Sequence, residues 1–169
     1  MNIRCRPLPG PLPLTFLFLV VALFVGAAGA ADAPPPLPPL QAETLAGERL
    51  TPGTQRGAVS VLVLWSPESL ASRKSIGELQ RFDDAFGARG VRTLAISTLR
   101  DAERLRAYAA EHQLHFPLLM LGEHQLGPLP EQNLPIVYVL DRNGGVRAAH
   151  AGLFRLRDLE REVEALLAP

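Results

Sequence analysis

Two serines at the start of a helix are the residues whose type and spacing are most suggestive of chemistry. Ser69 and Ser72 bracket Leu70-Ala71, shortly after an apolar run that ends at Trp65. A serine hydroxyl becomes a nucleophile only when a base lies within hydrogen-bond reach. Without a base, serines in or beside a first helical turn bond to local backbone groups, and we favour that interpretation for both residues.

The four histidines do not supply an evident base or a metal site. They are expected near the end of a helix, in an irregular segment and at a strand end, so none is placed beside Ser69 (His112, His115, His124 and His150). Their spacing matches no compact set of ligands, and the single cysteine, Cys5, lies far from them in the sequence. We therefore expect no catalytic residue, no metal and no cofactor.

The elements that must position the two serines are a buried strand and the helix that follows it. The apolar stretch 58–65 predicts a central strand. Ser66-Pro67-Glu68 predicts a helix start, because serine caps, proline suits the first turn and glutamate faces the positive helix end. The helix is expected to continue to about Phe86, with an inward row of apolar side chains (Leu70, Ile76, Leu79, Phe82 and Phe86).

The remaining pattern alternates strands and helices. A hairpin around Gly47 is expected within residues 40–57, strands at 91–97, 136–140 and 146–150, and helices at 101–113 and 155–168. Residues 116–121 form a short apolar run, and residues 122–133 are interpreted as irregular. The order ββ-β-α-β-α-β-β-α predicts an α/β fold in which a mixed central sheet carries helices on both faces and an N-terminal β-hairpin extension.

The first thirty residues resemble an export signal. Arg4 and Arg6 precede an almost wholly apolar stretch from Leu14 to Val25, and Ala28-Gly29-Ala30 resembles a cleavage site. The alternative is an uncleaved N-terminal anchor, since residues 12–31 are just long enough to cross a bilayer. Cleavage would remove Cys5, so the exported domain would depend on its core alone, without disulfides.

Composition limits the choice of partners. The 169 residues carry no net charge, and no lysine and arginine cluster forms a stripe, so nucleic acid is not expected as a ligand. Residues 31–39 are Pro-rich and are interpreted as an extended spacer, which leaves residues 40–169 as one domain. A membrane is expected as a partner only if the N-terminal segment remains uncleaved.

Two motifs resemble the thioredoxin-like superfamily, in particular its TlpA/ResA-type thiol-disulfide oxidoreductases. The stretch from Leu64 to Arg73 is similar to that family's Phe-Trp-x-x-x-Cys-x-x-Cys-Arg, with Ser69 and Ser72 in the two cysteine positions. The stretch from Leu134 to Gly144 is similar to its cis-proline strand and Asp-x-x-Gly turn, and Gly152 matches a later glycine. The resemblance implies a thioredoxin-like fold from about residue 40 to the C-terminus.

The resemblance also implies where a partner would bind. In that family the loop before the proline borders the active-site helix and pairs with an extended peptide, which points to Leu134 and Pro135 here. The N–H and C=O of Leu134 are expected to be available for such pairing, and an X-Pro bond beginning a strand suits the cis form. Trp65 is either a recognition aromatic beside this groove or a packing residue at the strand end.

Because serines stand at both cysteine positions, the resemblance implies the family's fold but not its thiol-disulfide activity. A family reductase attacks with a thiolate, whereas a serine hydroxyl stays protonated near neutral pH and forms no mixed disulfide. The sequence therefore predicts a redox-inactive periplasmic protein that binds an extended polypeptide or a partner protein of the cell envelope. Alternatives are an accessory subunit of a thiol-disulfide pathway in cytochrome or metal-centre assembly, a vestigial structural domain, or an enzyme using Ser69 or a partner's thiol.

Overall fold

The sheet is organised around one completely buried strand. We describe a computed structural model in which residues 34–168 are defined; the predicted signal or anchor lies outside these described residues. Every residue of the strand Ser60–Trp65 is buried, as the apolar run predicts. The strands are β1 (Leu40–Thr44), β2 (Arg49–Leu50), β3 (Ser60–Trp65), β4 (Arg92–Ser97), β5 (Leu118–His124), β6 (Ile136–Leu140) and β7 (Val146–Ala151), and the helices are α1 (Leu70–Phe86), α2 (Ala102–Glu111) and α3 (Leu156–Leu167).

The seven strands form one mixed sheet in the order β2-β1-β5-β4-β3-β6-β7, which confirms the predicted α/β class. β3 runs parallel to β4 and antiparallel to β6, while β1 and β2 form the predicted N-terminal hairpin at one edge. The turn into β7 is the tight one predicted, because the Asp141 carboxylate accepts hydrogen bonds from the N–H groups of Asn143 and Gly145. Between residues 34 and 168, no helix combines the length and apolarity needed to span a membrane.

The three α-helices cover one face of the sheet, which corrects the expected placement of helices on both faces. Buried residues of all three helices, such as Phe82, Leu105 and Leu159, belong to one core with the odd-numbered side chains of β3. The second core contains no residue of these helices and is closed by Leu37 and the 125–133 segment. The units β3-α1-β4 and β4-α2-β5 both move in the same direction across the sheet, so right-handed crossovers place both helices on one face.

β5 is a strand where the sequence suggested only a short apolar run followed by irregular chain. It pairs in parallel with β4 and antiparallel with β1, and it continues through His124. The strand was not recognised in the sequence because it contains Gly122, and glycine is uncommon in strand interiors. Its role is close packing: a Cβ at position 122 would lie 3.2 Å from the Gln41 carbonyl oxygen.

Part of the predicted Pro-rich spacer packs on the domain. Leu37 is buried in the second core, and Pro36 forms an isolated antiparallel bridge with Gly145 at the start of β7. The N–H of Val146 donates to the carbonyl of Pro35. Residues 34–39 therefore belong structurally to the folded domain.

Packing of α1 on the sheet is expected to dominate the stability of the domain. Phe82 is fully buried and stacks on Phe86 with ring centroids 4.7 Å apart. Phe82→Ala should lower the free energy of unfolding by about 3–5 kcal/mol in urea titrations, because it removes buried surface and leaves a cavity. The exposed Leu70→Ala is the control and should change it by less than about 0.5 kcal/mol. A loss below about 1 kcal/mol for Phe82→Ala would contradict this account of the core.

Candidate functional site

Ser69 caps the N-terminus of α1. Its hydroxyl oxygen accepts from the Ser72 N–H at 3.3 Å, and its carbonyl accepts from the Arg73 N–H at 3.0 Å. The helix therefore begins at Leu70, later than the Ser66-Pro67-Glu68 signal suggested. Those three residues form a turn, because the Ser66 hydroxyl accepts from the Glu68 N–H at 3.2 Å and the Ser66 carbonyl from the Ser69 N–H.

Ser72 lies entirely inside the protein. Its side chain has no exposed surface, and its hydroxyl accepts from the Ser66 N–H at 3.2 Å. Ser66 itself is only 2% exposed. The Ser72 hydroxyl thus satisfies a backbone donor of a buried residue, which is the local role favoured by the sequence.

The structure brings the Leu134-Pro135 loop against Ser69. The Leu134–Pro135 peptide bond is cis, as expected. The Ser69 hydroxyl donates to the Leu134 carbonyl at 3.5 Å, which joins two segments 65 residues apart in the sequence. The stretches that carried the resemblance therefore meet at one place, at the N-terminal end of α1.

The backbone of Leu134 is not available as the sequence suggested. Its N–H donates to the Glu131 carbonyl at 3.1 Å within a 3-10 turn, and its carbonyl faces Ser69. The side chain of Leu134 is 1% exposed and Pro135 is also buried. The expectation of main-chain pairing at Leu134 is corrected because the 131–133 turn uses the donor internally.

Trp65 is a packing residue in this structure. It has no exposed surface and its ring centroid lies 5.1 Å from that of Tyr108 on α2. Burial raises the pKa of the Tyr108 hydroxyl, an effect partly opposed by the guanidinium of Arg73. The indole N–H of Trp65 has no hydrogen-bond partner within the described chain. The side chain offers no surface to a partner, in contrast to the recognition role considered from the sequence.

Two exposed leucines next to this site were not identified from the sequence. Leu70 is 61% exposed and Leu153 is 62% exposed, and they are the exposed large apolar residues of the described chain. Leu70 follows Ser69, and Leu153 follows Gly152, whose N–H donates to the Pro135 carbonyl at 2.8 Å. The two leucines thus flank the same loop.

Helix geometry explains why Leu70 was placed wrongly. The sequence included it in the inward row of α1, but it precedes Ile76 by six residues, which is off the stripe at 3.6 residues per turn. The first buried positions of α1 are instead Ser72 and Ser75. Because these two inward positions are polar, the apolar pattern did not show which face of the first turns of α1 is buried.

No base accompanies Ser69 in the described part of the chain. Within residues 34–168 its hydroxyl contacts only the Leu134 carbonyl and the Ser72 N–H, and neither can remove a proton. His112 packs on Tyr108, while His150 bonds to Glu162 on α3. The described residues contain no group of histidine, cysteine and acidic side chains that could hold a metal. The arrangement can cap a helix and join it to a loop.

Removing the hydroxyl tests this capping role. Ser69→Ala should lower the free energy of unfolding by about 0.5–2 kcal/mol in urea titrations, because the Ser72 N–H loses its acceptor. Ser69→Thr is the matched control, since it keeps a hydroxyl at the cap and should stay within about 1 kcal/mol of the wild type. Equal stability of Ser69→Ala and the wild type would show that the cap contributes nothing.

Comparison with known proteins agrees with this geometry. A chain from Chlorobium tepidum described as a thiol:disulfide interchange protein DsbE superposes with a TM-score of 0.67 and 20% identity, covering 81% of this chain and 99% of that one. StoA from Bacillus subtilis superposes with a TM-score of 0.57 and 15% identity, covering 76% of this chain and 98% of that one. These structural similarities confirm the thioredoxin-like fold.

Sequence comparison extends the similarity to most of the domain. The thioredoxin-like protein YneN of Bacillus subtilis is 20% identical over 130 residues, which cover 75% of this chain and 76% of that protein. Residues 35–149 match the AhpC/TSA family. This chain therefore belongs to the AhpC/TSA family, and its thioredoxin-like fold, with two serines at the helix start beside a cis-proline loop, is similar to that of a solved thiol:disulfide interchange protein.

Proposed function

We propose that this protein is a redox-inactive, exported member of its family that acts by binding a polypeptide of the cell envelope. The observation that carries the proposal is the pair Ser69 and Ser72 at the N-terminus of α1, where one hydroxyl contacts the cis-proline loop and the other is buried. A fold related to thiol-disulfide oxidoreductases thus has oxygen at the two places where that chemistry uses sulfur.

The chemistry of the hydroxyl supports redox inactivity. Thiol-disulfide exchange requires a thiolate that attacks a disulfide sulfur, followed by a second thiol that resolves the mixed disulfide. The only cysteine of the sequence is Cys5, and no cysteine occurs between residues 34 and 168. Ser69 has no base to activate it within the described residues, so nucleophilic chemistry of another kind is also disfavoured.

The surface around the two leucines supports a binding role. We call the Leu70–Leu153 surface the two exposed leucines next to the buried Leu134-Pro135 loop: Leu70 follows Ser69, which contacts the Leu134 carbonyl, and Leu153 follows Gly152, which bonds to the Pro135 carbonyl. Large exposed apolar side chains that cluster at one place often mark contact sites. Because this is where both such leucines of the described chain occur, we assign partner binding to this surface.

An export signal in the sequence supports the location. Residues 1–30 have the charged start, apolar run and small-residue cleavage site of a secretory segment. A structurally similar chain from Corynebacterium glutamicum, with 17% identity and a TM-score of 0.66, is described as a secreted thiol-disulfide isomerase. We therefore place the functional site of this protein outside the cytoplasm.

Restoring sulfur tests the redox proposal. The wild type should leave insulin disulfides intact in the presence of dithiothreitol at the rate of the protein-free control. Ser69→Cys combined with Ser72→Cys should form an internal disulfide, because the two positions are at the cap and in the first turn of α1. Mass spectrometry before and after thiol alkylation would detect the bridge.

A second pair of thiols provides the matched control. Ala85 is an exposed residue near the C-terminal end of α1, about 24 Å along the helix axis from Ser69. That separation is far beyond the reach of a disulfide, so the thiols of Ser69→Cys combined with Ala85→Cys should both stay reduced and be alkylated.

The outcomes of the sulfur experiment are distinct. Insulin reduction by the wild type above the protein-free rate would contradict redox inactivity. A Ser69→Cys, Ser72→Cys variant whose two thiols cannot be bridged would contradict the correspondence between these serines and the family's cysteines.

Charge substitutions test the binding surface. Leu70→Asp and Leu153→Asp should each reduce capture of envelope polypeptides by the immobilised protein at least about tenfold, because a carboxylate would be desolvated at an apolar contact. Quantitative mass spectrometry of the captured fraction is the measurement. Ala88→Asp is the matched control, since this exposed residue follows the far end of α1 and should leave capture unchanged. Equal capture by the wild type and all three variants would favour a vestigial surface.

A further inference from the structure

The outer edge of β7 has a strand partner over only a small part of its length. β7 is the last strand of the sheet, and Pro36 bridges Gly145 while the Val146 N–H donates to the Pro35 carbonyl. Prolines have no N–H to donate, so they cannot continue a ladder. Within residues 34–168, no strand lies along the outer side of residues 147–151.

The hydrogen-bond pattern identifies the free backbone groups of this edge. The Gly152 N–H donates to the Pro135 carbonyl, and β7 pairs with β6 through Ala151 opposite Ile136 and Ala149 opposite Tyr138. Bonded and non-bonded pairs alternate in an antiparallel ladder. Ala149 and Ala151 therefore direct their N–H and C=O groups away from β6, towards the open side.

A groove of mixed apolar and charged lining lies beside this free edge. It has a volume of about 850 Å³, and its apolar lining includes Leu153, Phe154 and Ala165, while Val137 and Leu159 are almost completely buried at its base. The remaining lining is polar or charged and includes His150, Arg155, Asp158, Arg161 and Glu162. Leu153 belongs both to this groove and to the Leu70–Leu153 surface, so the two are continuous. A strand added to β7 would direct alternate side chains towards the groove.

The charges around the groove favour an acidic group on the occupant. Arg161 pairs with Asp158, and His150 bonds to Glu162 at 3.0 Å. Arg155 also lines the groove and forms no ion pair with a described residue. One guanidinium is thus left to pair with a carboxylate supplied from outside.

A second copy of the chain is a poorer occupant than another polypeptide. On the face of the sheet that carries α3, a second β7 would present Ala148 and His150, which are too small or too polar to fill the groove. Pairing through residues 147–151 alone also falls well short of the roughly 1,200–2,000 Å² that stable interfaces bury.

We propose that an extended segment of the partner polypeptide adds to Ala149 and Ala151 as an eighth strand, with a large apolar side chain in the groove and an acidic residue at Arg155. The inference rests on the proposed binding function and deepens it by assigning the binding mode. Backbone pairing supplies affinity, while the groove and Arg155 select the side chains.

A peptide library provides the test. The probe is a phage-displayed library of short linear peptides, selected on the full chain purified from the envelope fraction. Selected sequences should share a large apolar residue with an acidic residue nearby. A synthetic peptide of the enriched sequence should slow amide exchange of Ala149 and Ala151 at least about tenfold, and its N-methylated analogue should not bind, because it lacks the backbone donors that pair with the edge.

Protein variants separate this proposal from the general binding function. Ala149→Pro, which removes an outward N–H, and Ala165→Trp, which fills the groove, should each weaken the peptide at least about tenfold. Ala110→Trp is the matched control on an exposed position of α2 and should bind as the wild type does.

Several results would overturn the proposal. Peptide binding that is lost in Leu70→Asp but retained in Ala149→Pro and Ala165→Trp would leave the proposed function standing and remove the β7 mode. Failure to enrich any peptide over the protein-free support would also reject this mode. Self-association that Ala149→Pro abolishes would identify a second copy as the occupant instead.

Discussion

The contact between the Ser69 hydroxyl and the Leu134 carbonyl is the interaction on which the site depends. The hydroxyl accepts from the Ser72 N–H at 3.3 Å and lies 3.5 Å from the Leu134 carbonyl oxygen, so one oxygen both caps α1 and meets the loop. A hydroxyl can do both because it carries one donor and two acceptor lone pairs without a charge. Ser69 therefore keeps α1 in contact with the loop, and in the function we propose it does so without a thiol.

The strand order of the sheet determines what surrounds the contact between Ser69 and Leu134. Because α1, α2 and α3 all pack on one face, the other face is closed by Leu37 and the 125–133 segment. That segment ends in the 3-10 turn that takes up the Leu134 N–H. The 125–133 segment thus does two things: it covers the face of the sheet without α-helices, and it accepts a hydrogen bond from the N–H of Leu134, which would otherwise be free.

Much of the fold could be predicted from local patterns. The buried run of β3, the hairpin at Gly47 and the turn at Asp141 each have signals that depend on adjacent residues. β5 could not be recognised in this way, since Gly122 is explained only by its contact with Gln41 in a distant strand. The faces of the helices depend on strand order, which a single sequence does not reveal. The resemblance predicted that the helix start at Ser69 and the loop at Pro135 lie side by side, as the Ser69–Leu134 contact shows. It did not predict which residues of this region are exposed to solvent, because exposure depends on the packing of the whole domain.

Burial also explains why we assign partner binding to the surroundings of the loop and not to the loop itself. Trp65, Leu134 and Pro135 are all inside the protein, so they shape the site without forming its surface. The exposed large apolar residues of the described chain are Leu70 and Leu153, and β7 is the edge strand of the sheet that lies next to Leu153. Because Leu153 adjoins both the loop and the groove along β7, a partner that contacts the leucines reaches an open sheet edge within a few residues. The proposed contact groups are thus Leu70, Leu153 and the outer edge of β7, which surround the buried loop.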